Sequence, residues 1–306
     1  MNPSDGSARV KVAVLGAGLM GHGIAQAFMV TGFDVSIWDP NPEVLAGVDA
    51  RIAQHLDFLG ISSTRKVRTA DTVRECIQGC DLVVEAAPEK LQVKRELIRA
   101  IDEIDQHCIV ATNTSVLRIT EIAKGSANPS RIVGTHWWNP PYLMPLVEVV
   151  HGEQTAEDTV RLVTAWLQQA GKIPVEVYKD APGFVGNRMQ FALVREAAHI
   201  VEQGICSPET VDLVARLTFG RRLAAVGPLK NADFIGLDLT CDIMNYLSES
   251  LANDTRAPQL FRDKVEKGEL GAKTGSGIYK WTESSRAEAE KTLLQHLLSV
   301  QRQEQG

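Results

Sequence analysis

Residues 12–28 read VAVLGAGLMGHGIAQAF, an apolar run that breaks at Gly16, Gly18 and Gly21 and then resumes with helical spacing. Few stretches constrain a fold more. The run before Gly16 is short and β-branched, as a buried strand is, and the residues after Gly21 repeat apolar positions at helix period. A G-x-G-x-x-G spacing alone is weak; between a strand and a helix it is specific. A second strand, DVSIWD, ends on Asp39, eighteen residues after Gly21 (39 − 21). In that setting Gly16 permits a tight turn, Gly18 lets a pyrophosphate approach the backbone, and Gly21 lets the helix pack close, its N-terminus facing the phosphates. Leu19 and Met20 occupy the two variable positions between Gly18 and Gly21 and count with the glycines as cofactor contacts. Asp39 would accept from the ribose hydroxyls and repel a 2′-phosphate, and DPNPE offers no arginine beside it, so NAD is expected over NADP.

The texture of the next 150 or so residues agrees with a chain of strand–helix repeats. DLVVEAA, CIVATN, RIVGTH, PLVEVV and GKIPVEVYKD read as strands, and ARIAQHLDFLG and LQVKRELIRAID as helices between them. Strands of nearly unbroken β-branched content predict a doubly wound, Rossmann-type parallel sheet covered on both faces. After DAPG at 180–183 every segment looks helical. The expectation is an NAD-binding domain over residues 1–180 and an all-helical domain over 181–306. Within the latter, 184–204 is apolar on most sides and predicts a helix buried among helices. Further helices are expected over 207–217, 229–251 and 283–300. The last carries Leu293, Leu294, Leu297 and Leu298 on one stripe.

Bulk properties narrow the partners. The 306 residues carry a formal net charge of −6, which argues against nucleic acid or an anionic membrane surface. No run approaches the roughly 18 apolar residues of a membrane span, and the polar N-terminus lacks a signal-peptide core. The five cysteines, at 76, 80, 108, 206 and 241, form no Cys-x-x-Cys pair, so neither a disulfide framework nor a metal site is expected. A cytoplasmic protein with a small-molecule substrate follows.

Oxidising an alcohol needs a base that titrates near neutrality. Of seven histidines, His136 ends the strand RIVGTH, at the sheet edge where parallel α/β folds bind ligands. Glu148 lies twelve residues on (148 − 136), inside the apolar PLVEVV, where a lone carboxylate is costly unless paired. The NPP turn at 139–141 reverses the chain between them. Glu148 is thereby placed to accept the imidazole N–H and fix its tautomer. A purely structural His–Glu pair fits the local sequence equally well. His22, among the glycines, reads as a solvated residue of a helix's first turn.

The blocks GAGLMGHGIAQ, DLVVEAAPEKLQVKRELI, ATNTSVLRIT, GTHWWNPPYLMPLVEVV, KDAPGFVGNR and GELGAKTGSGIYKW occur in an order and over a length that resemble the L-3-hydroxyacyl-CoA dehydrogenase family. The resemblance implies His136 as general acid/base and Glu148 as its orienting partner. It also implies Ser115 hydrogen-bonding the substrate oxygen and Asn187 as a polar group completing the pocket from the second domain. Glu89, Lys94 and Asn139 are implied at the nicotinamide–ribose end of the cofactor.

Two departures bear on the substrate. Members acting on CoA thioesters carry a long lysine-rich helical hairpin after the second strand, whereas only 42 residues (81 − 39) separate Asp39 from Asp81 here. Where those members have a tyrosine–proline turn, this chain has Arg221 and Arg222, more like members that act on free acids such as gulonate or carnitine. Arginine suits a carboxylate. A small polar 3-hydroxy acid is therefore expected, with Arg221 and Arg222 as its anchors and Trp137 as a pocket wall. An aromatic or pyridine-type alcohol or aldehyde as substrate, a 3-hydroxybutyryl-CoA dehydrogenase and a non-catalytic, crystallin-like NAD binder are the alternatives. The helical domain is expected to form a homodimer.

Overall fold

The structure is a computed structural model that describes residues 9–305; the polar N-terminal stretch before Arg9 lies outside the described residues. Among the described residues eight strands form one sheet: β1 Lys11–Leu15, β2 Asp34–Trp38, β3 Arg68–Thr69, β4 Leu82–Glu85, β5 Ile109–Thr112, β6 Ile132–Trp137, β7 Leu146–Val150 and β8 Ile173–Val177. Their order is β3-β2-β1-β4-β5-β6-β7-β8. From β3 to β6 neighbours pair parallel, the Rossmann pattern that the glycine turn predicts. β7 is antiparallel to β6, and β8 is parallel to β7. The reversal has a chain-length cause. A parallel return needs a crossover of a dozen or more residues, and only residues 138–145 join β6 to β7.

Helices cover both faces. They are α1 Gly21–Val30, α2 Pro42–Ala46, α3 Val48–Leu59, α4 Val73–Ile77, α5 Leu91–Asp102, α6 Ile119–Ala123 and α7 Glu157–Gln169. Alternation along each strand sorts side chains into two cores. Val12, Val14, Ile24, Phe28 and Val163 fill one; Ala13, Leu15, Ile77, Ile98 and Ile122 fill the other. Each large side chain so enclosed contributes about 1.5–3 kcal/mol.

The rest is helical: α8 Gly186–Glu202, α9 Pro208–Leu217, α10 Phe219–Leu223, α11 Pro228–Ile235, α12 Leu237–Leu247, α13 Gln259–Glu266 and α14 Glu283–Gln305. By contact density the described residues form two units, 9–187 with 295–305, and 188–294. Residues 295–305 thus group with the sheet unit. Two expectations for the helical unit are corrected. The stretch 229–251 is not one helix, because Gly236 adopts φ 107° and separates α11 from α12. Helix α8 is only partly buried: Ala198 is 3% exposed, but Met189 is 53% and Phe191 59% exposed, so the first half leaves apolar side chains uncovered by this chain. Among the described residues no helix is long and apolar enough to cross a membrane.

Candidate active site

The glycine turn closes on the sheet's edge. Gly16 has φ 105°, and a Cβ there would sit 2.6 Å from the Ala86 carbonyl oxygen; one on Gly21 would lie 1.7 Å from the Gly16 oxygen. Both positions exclude any larger residue. A Cβ on Gly18, in contrast, would meet nothing within 4 Å, so backbone is bared toward open space. That space is a cavity of about 770 Å³ lined by Gly16, Gly18, Leu19, Met20, Asp39, Glu89, Asn113 and Ser115. An open cradle at a helix N-terminus, with an acid at the end of β2, fits NAD. Asp39 also braces the turn: its Oδ2 accepts from the Ala17 N–H at 2.7 Å and its Oδ1 from the Asn41 N–H at 2.9 Å.

Behind the turn lies a layer that sequence reading missed. Arg51 on α3 donates from Nη2 to the carbonyls of Ala17 (3.1 Å) and Val44 (2.6 Å). His22 is not solvated but buried, because α3 covers the first turn of α1. It donates from Nδ1 to the Gly18 carbonyl at 2.6 Å, and its ring stacks on His55, 5.2 Å between centroids. Burial lowers the pKa of His22 although the Gly18 carbonyl opposes this. Burial, with the charges of His22 and Arg51, pushes His55 down to about 4.

At the other end of the cavity, Glu89 organises a turn. Its Oε1 accepts from Thr114 Oγ1 and from the Ser115 (2.9 Å) and Val116 (3.1 Å) N–H groups. Burial alone would raise the Glu89 pKa; Thr114, Lys94 and those amides hold it below the usual range. Lys94 does not reach the cavity as expected. It is fully buried, with Nζ 3.0 Å from both oxygens of Glu85 and 3.6 Å from Glu89. Asn139 is exposed, before the cis peptide to Pro140, and does not line the cavity; the asparagine that does is Asn113, whose Oδ1 accepts from the Trp137 N–H.

His136 and Glu148 are direct cross-strand partners on β6 and β7, both buried. The imidazole donates from Nδ1 to Glu148 Oε2 at 2.6 Å. The other carboxylate oxygen accepts from the Val185 (2.9 Å) and Gly186 (3.1 Å) N–H groups. Those amides are aimed by Phe184, a non-glycine residue at φ 49°, a conformation tolerated where the surroundings impose it. Burial would raise the Glu148 pKa, but His136 and the two amides hold it low. Asn187, one residue on, donates from Nδ2 to the Ser115 carbonyl at 2.9 Å, tying the Ser115 turn to the start of α8.

Trp137 does not wall this site. Adjacent strand residues point to opposite faces, so Trp137 enters the core against Phe28, 5.8 Å between centroids. Trp138 leaves the strand beside His136, 4.8 Å between centroids, and rests where a Cβ on Gly186 would lie 2.2 Å away. Arg221 and Arg222 are exposed on α10, in the second unit.

Residues 11–181 match the family model for the NAD binding domain of 3-hydroxyacyl-CoA dehydrogenase, and residues 183–281 that for its C-terminal domain. A relative, the 5-formyl-3-hydroxy-2-methylpyridine 4-carboxylate 5-dehydrogenase of Mesorhizobium japonicum, is 33% identical over 95% of this chain and 97% of its own length. The crystal structure of a 5-formyl-3-hydroxy-2-methylpyridine 4-carboxylic acid 5-dehydrogenase, an NAD+-dependent dismutase, superposes with TM-score 0.92 at 32% identity, covering 98% of this chain and 99% of that one. For the (S)-3-hydroxybutyryl-CoA dehydrogenase of Ralstonia eutropha the TM-score is 0.75 at 34% identity, with 90% of this chain and 100% of that one covered. A glycine cradle at a helix N-terminus, an acid at the end of β2 and both family domains in sequence lead to one conclusion: the chain belongs to the 3-hydroxyacyl-CoA dehydrogenase family and is an NAD-dependent oxidoreductase acting on a CH–OH group.

Proposed function

We propose that the chain oxidises the hydroxyl of a small free hydroxy acid, not of a CoA thioester, with His136 and Glu148 as the proton-transfer pair. The observation that carries the pair is the 2.6 Å contact between His136 Nδ1 and a carboxylate oxygen of Glu148. With Nδ1 committed as donor, Nε2 is the nitrogen left to take the hydroxyl proton. The negative charge of Glu148 stabilises the imidazolium that results. NAD, when bound, supplies the hydride acceptor; Gly16, Gly18, Leu19, Met20, Gly21 and Asp39 would hold it, with Glu89 setting the far turn. Ser115 and Asn187 orient the substrate oxygen.

A free acid is supported by two features. Between β2 and β4 the chain forms helices α2, α3 and α4, the stretch 60–67 and the two-residue strand β3, with no long helical hairpin. The structural superposition is also closer with a dehydrogenase of a small pyridine carboxylic acid than with a CoA-acting one, TM-score 0.92 against 0.75. Arg221 and Arg222 are assigned to the substrate carboxylate. The tilted contact of Trp138 with His136 favours a planar, aromatic acid as a second reading.

On this view residues 1–180 bind the cofactor in a cytoplasmic enzyme. Residues 181–306 supply substrate contacts and a homodimer surface, because helices α9 to α13 bury no residue within the chain. The test is NADH formation across a panel of free aliphatic hydroxy acids, pyridine carboxylates bearing an alcohol or aldehyde, and 3-hydroxybutyryl-CoA. Turnover of the free acids is expected. Turnover of the thioester alone would overturn the free-acid reading, and a flat trace throughout would leave a cofactor binder without activity.

A further inference from the structure

We propose that Lys172 is a positioning residue, whose ammonium clamps the connection between β6 and β7 and thereby keeps His136, Glu148 and Trp138 in register; this rests on the dyad reading above.

Lys172 sits in the turn between α7 and β8, a half-buried residue remote in sequence from both dyad members. Its Nζ donates to the carbonyl of Pro141 at 2.6 Å and to that of Met144 at 3.0 Å. It also lies 5.6 Å from the centre of the Trp137 ring. An ammonium has three donors and no acceptor; two are spent on carbonyls and the charge faces an aromatic surface, an attractive geometry. Among the described residues it forms no ion pair, and burial is what lowers its pKa, to about 8. A cation withdrawn from water without a carboxylate is costly, so the position calls for a reason other than stability.

The connection supplies one. Residues 138–145 carry little regular structure; within them the Leu143 and Met144 N–H groups donate to the Pro140 carbonyl, both at 3.0 Å, and the Tyr142 ring stacks on His55, 4.0 Å between centroids. Pro141 abuts Gly23 of α1, where a Cβ would meet its ring at 2.7 Å. Lys172 adds two anchors to this segment, and the next residue adds a third, the Ile173 N–H to the Pro145 carbonyl at 2.9 Å. The segment begins with Trp138, which packs beside His136, and ends where β7 brings Glu148 opposite His136. Slack in the connection therefore shifts both the aromatic wall and the strand pairing that aligns the dyad. A loss of the ammonium acts on the chemistry through His136, without any contact of Lys172 with substrate.

The test uses the full-length protein and needs no substrate. Hydrogen–deuterium exchange is measured on peptides covering 138–145, together with the downfield proton resonance of the His136 Nδ1–H, assigned by its loss in E148Q. In K172M the connection is expected to exchange about tenfold faster or more, with α1 and α5 unchanged. The His136 resonance broadens, NADH affinity is preserved, and K172R restores both signals. Should K172M fail to fold, K172Q is read in the same way. A wild type without the resonance overturns the dyad and this proposal with it. A wild type that shows it, paired with a K172M connection exchanging at the native rate, overturns the proposal alone. Faster exchange with an unaltered resonance does so too.

Discussion

His136 on β6 and Glu148 on β7 stand directly opposite one another in an antiparallel ladder, and this pairing makes a hydrogen bond out of a twelve-residue separation. Opposed residues of such a ladder share a face and lie within side-chain reach. The carboxylate is then saturated from a third direction by the amides of Val185 and Gly186. Imidazole orientation is set by backbone pairing on one side and by a strained turn on the other, an arrangement suited to preorganised proton transfer.

Glu148→Gln tests that arrangement. The amide keeps the shape but loses the charge, and it can present an N–H to Nδ1, which reverses the tautomer. Turnover is expected to fall by on the order of 10²–10⁴. NADH affinity, measured by fluorescence titration, should stay at the wild-type level, because the cofactor cavity does not include Glu148. An E148Q protein with ordinary turnover would return the pair to a structural role.

The same variant carries a pH prediction. The folded pKa of Glu148 is lowered below its ordinary 4.5. Its contribution to stability is thus complete above 4.5 and is lost as pH falls through the lower folded value. Urea midpoints followed from pH 7 to 3 should converge for wild type and E148Q at the acid end. A gap that stays constant across that range would show that the charge of Glu148 adds nothing.

What the sequence reveals here depends on how local each determinant is. The glycine turn, Asp39 and the reversal at NPP are contiguous, so strand–turn–helix logic reaches them. His136 and Glu148 are legible because a turn of fixed length sets their register. Trp137 and Trp138 are told apart only by strand parity, which requires knowing that β6 continues through 137. For Lys94 the sequence holds a signal contrary to a place at the ribose. Glu85 in DLVVEAA is, like Glu148, an acid inside an apolar strand, and its partner is the lysine nine residues on (94 − 85). The burial of His22 is not legible locally, because its cover, His55 and Arg51, comes from another helix. Nothing in 188–294 announces which apolar faces this chain leaves bare.

Gly186→Ala addresses the wall beside the imidazole. A Cβ there would lie 2.2 Å from Trp138 Cζ2, well inside contact distance, so the indole must shift. Overpacking of this kind costs about 1–3 kcal/mol. Thermal denaturation should register that loss, and KM for the best acid of the panel should rise. If both values match wild type, Trp138 is free to move and does not shape the pocket.

Lys172 predicts an opposite, alkaline behaviour. Its folded pKa of about 8 lies below the ordinary 10.5, so between these values the unfolded chain binds more protons than the native one. Stability therefore rises with pH across that window, and the burial penalty is present in full below it. Against K172M, the wild type should gain about 1–2 kcal/mol from pH 8 to 10.5, allowing for solvent screening of a half-exposed group. Parallel stability curves for the two proteins would place the amine in water.

The helical unit yields the last prediction. Leu229 is 85%, Phe234 86% and Tyr246 86% exposed, on α11 and α12. Scattered exposed apolar residues are ordinary, but several large ones on adjacent helices that bury nothing are not. A second copy of the chain, offering the same surface by two-fold symmetry, is the cover we propose. Phe234→Glu places a charge where an aromatic ring is desolvated on association. Its cost is expected to be about 2–4 kcal/mol of association energy, as for a central aromatic anchor. Sedimentation equilibrium reads this directly: a dimer for wild type at micromolar concentration, and a concentration-dependent monomer for F234E. Because the folded helices then lack their cover, the variant should also melt earlier on dilution. A wild type that sediments as a monomer and melts independently of concentration would rule the dimer out. The apolar faces of α11 and α12 would then need an occupant other than this chain.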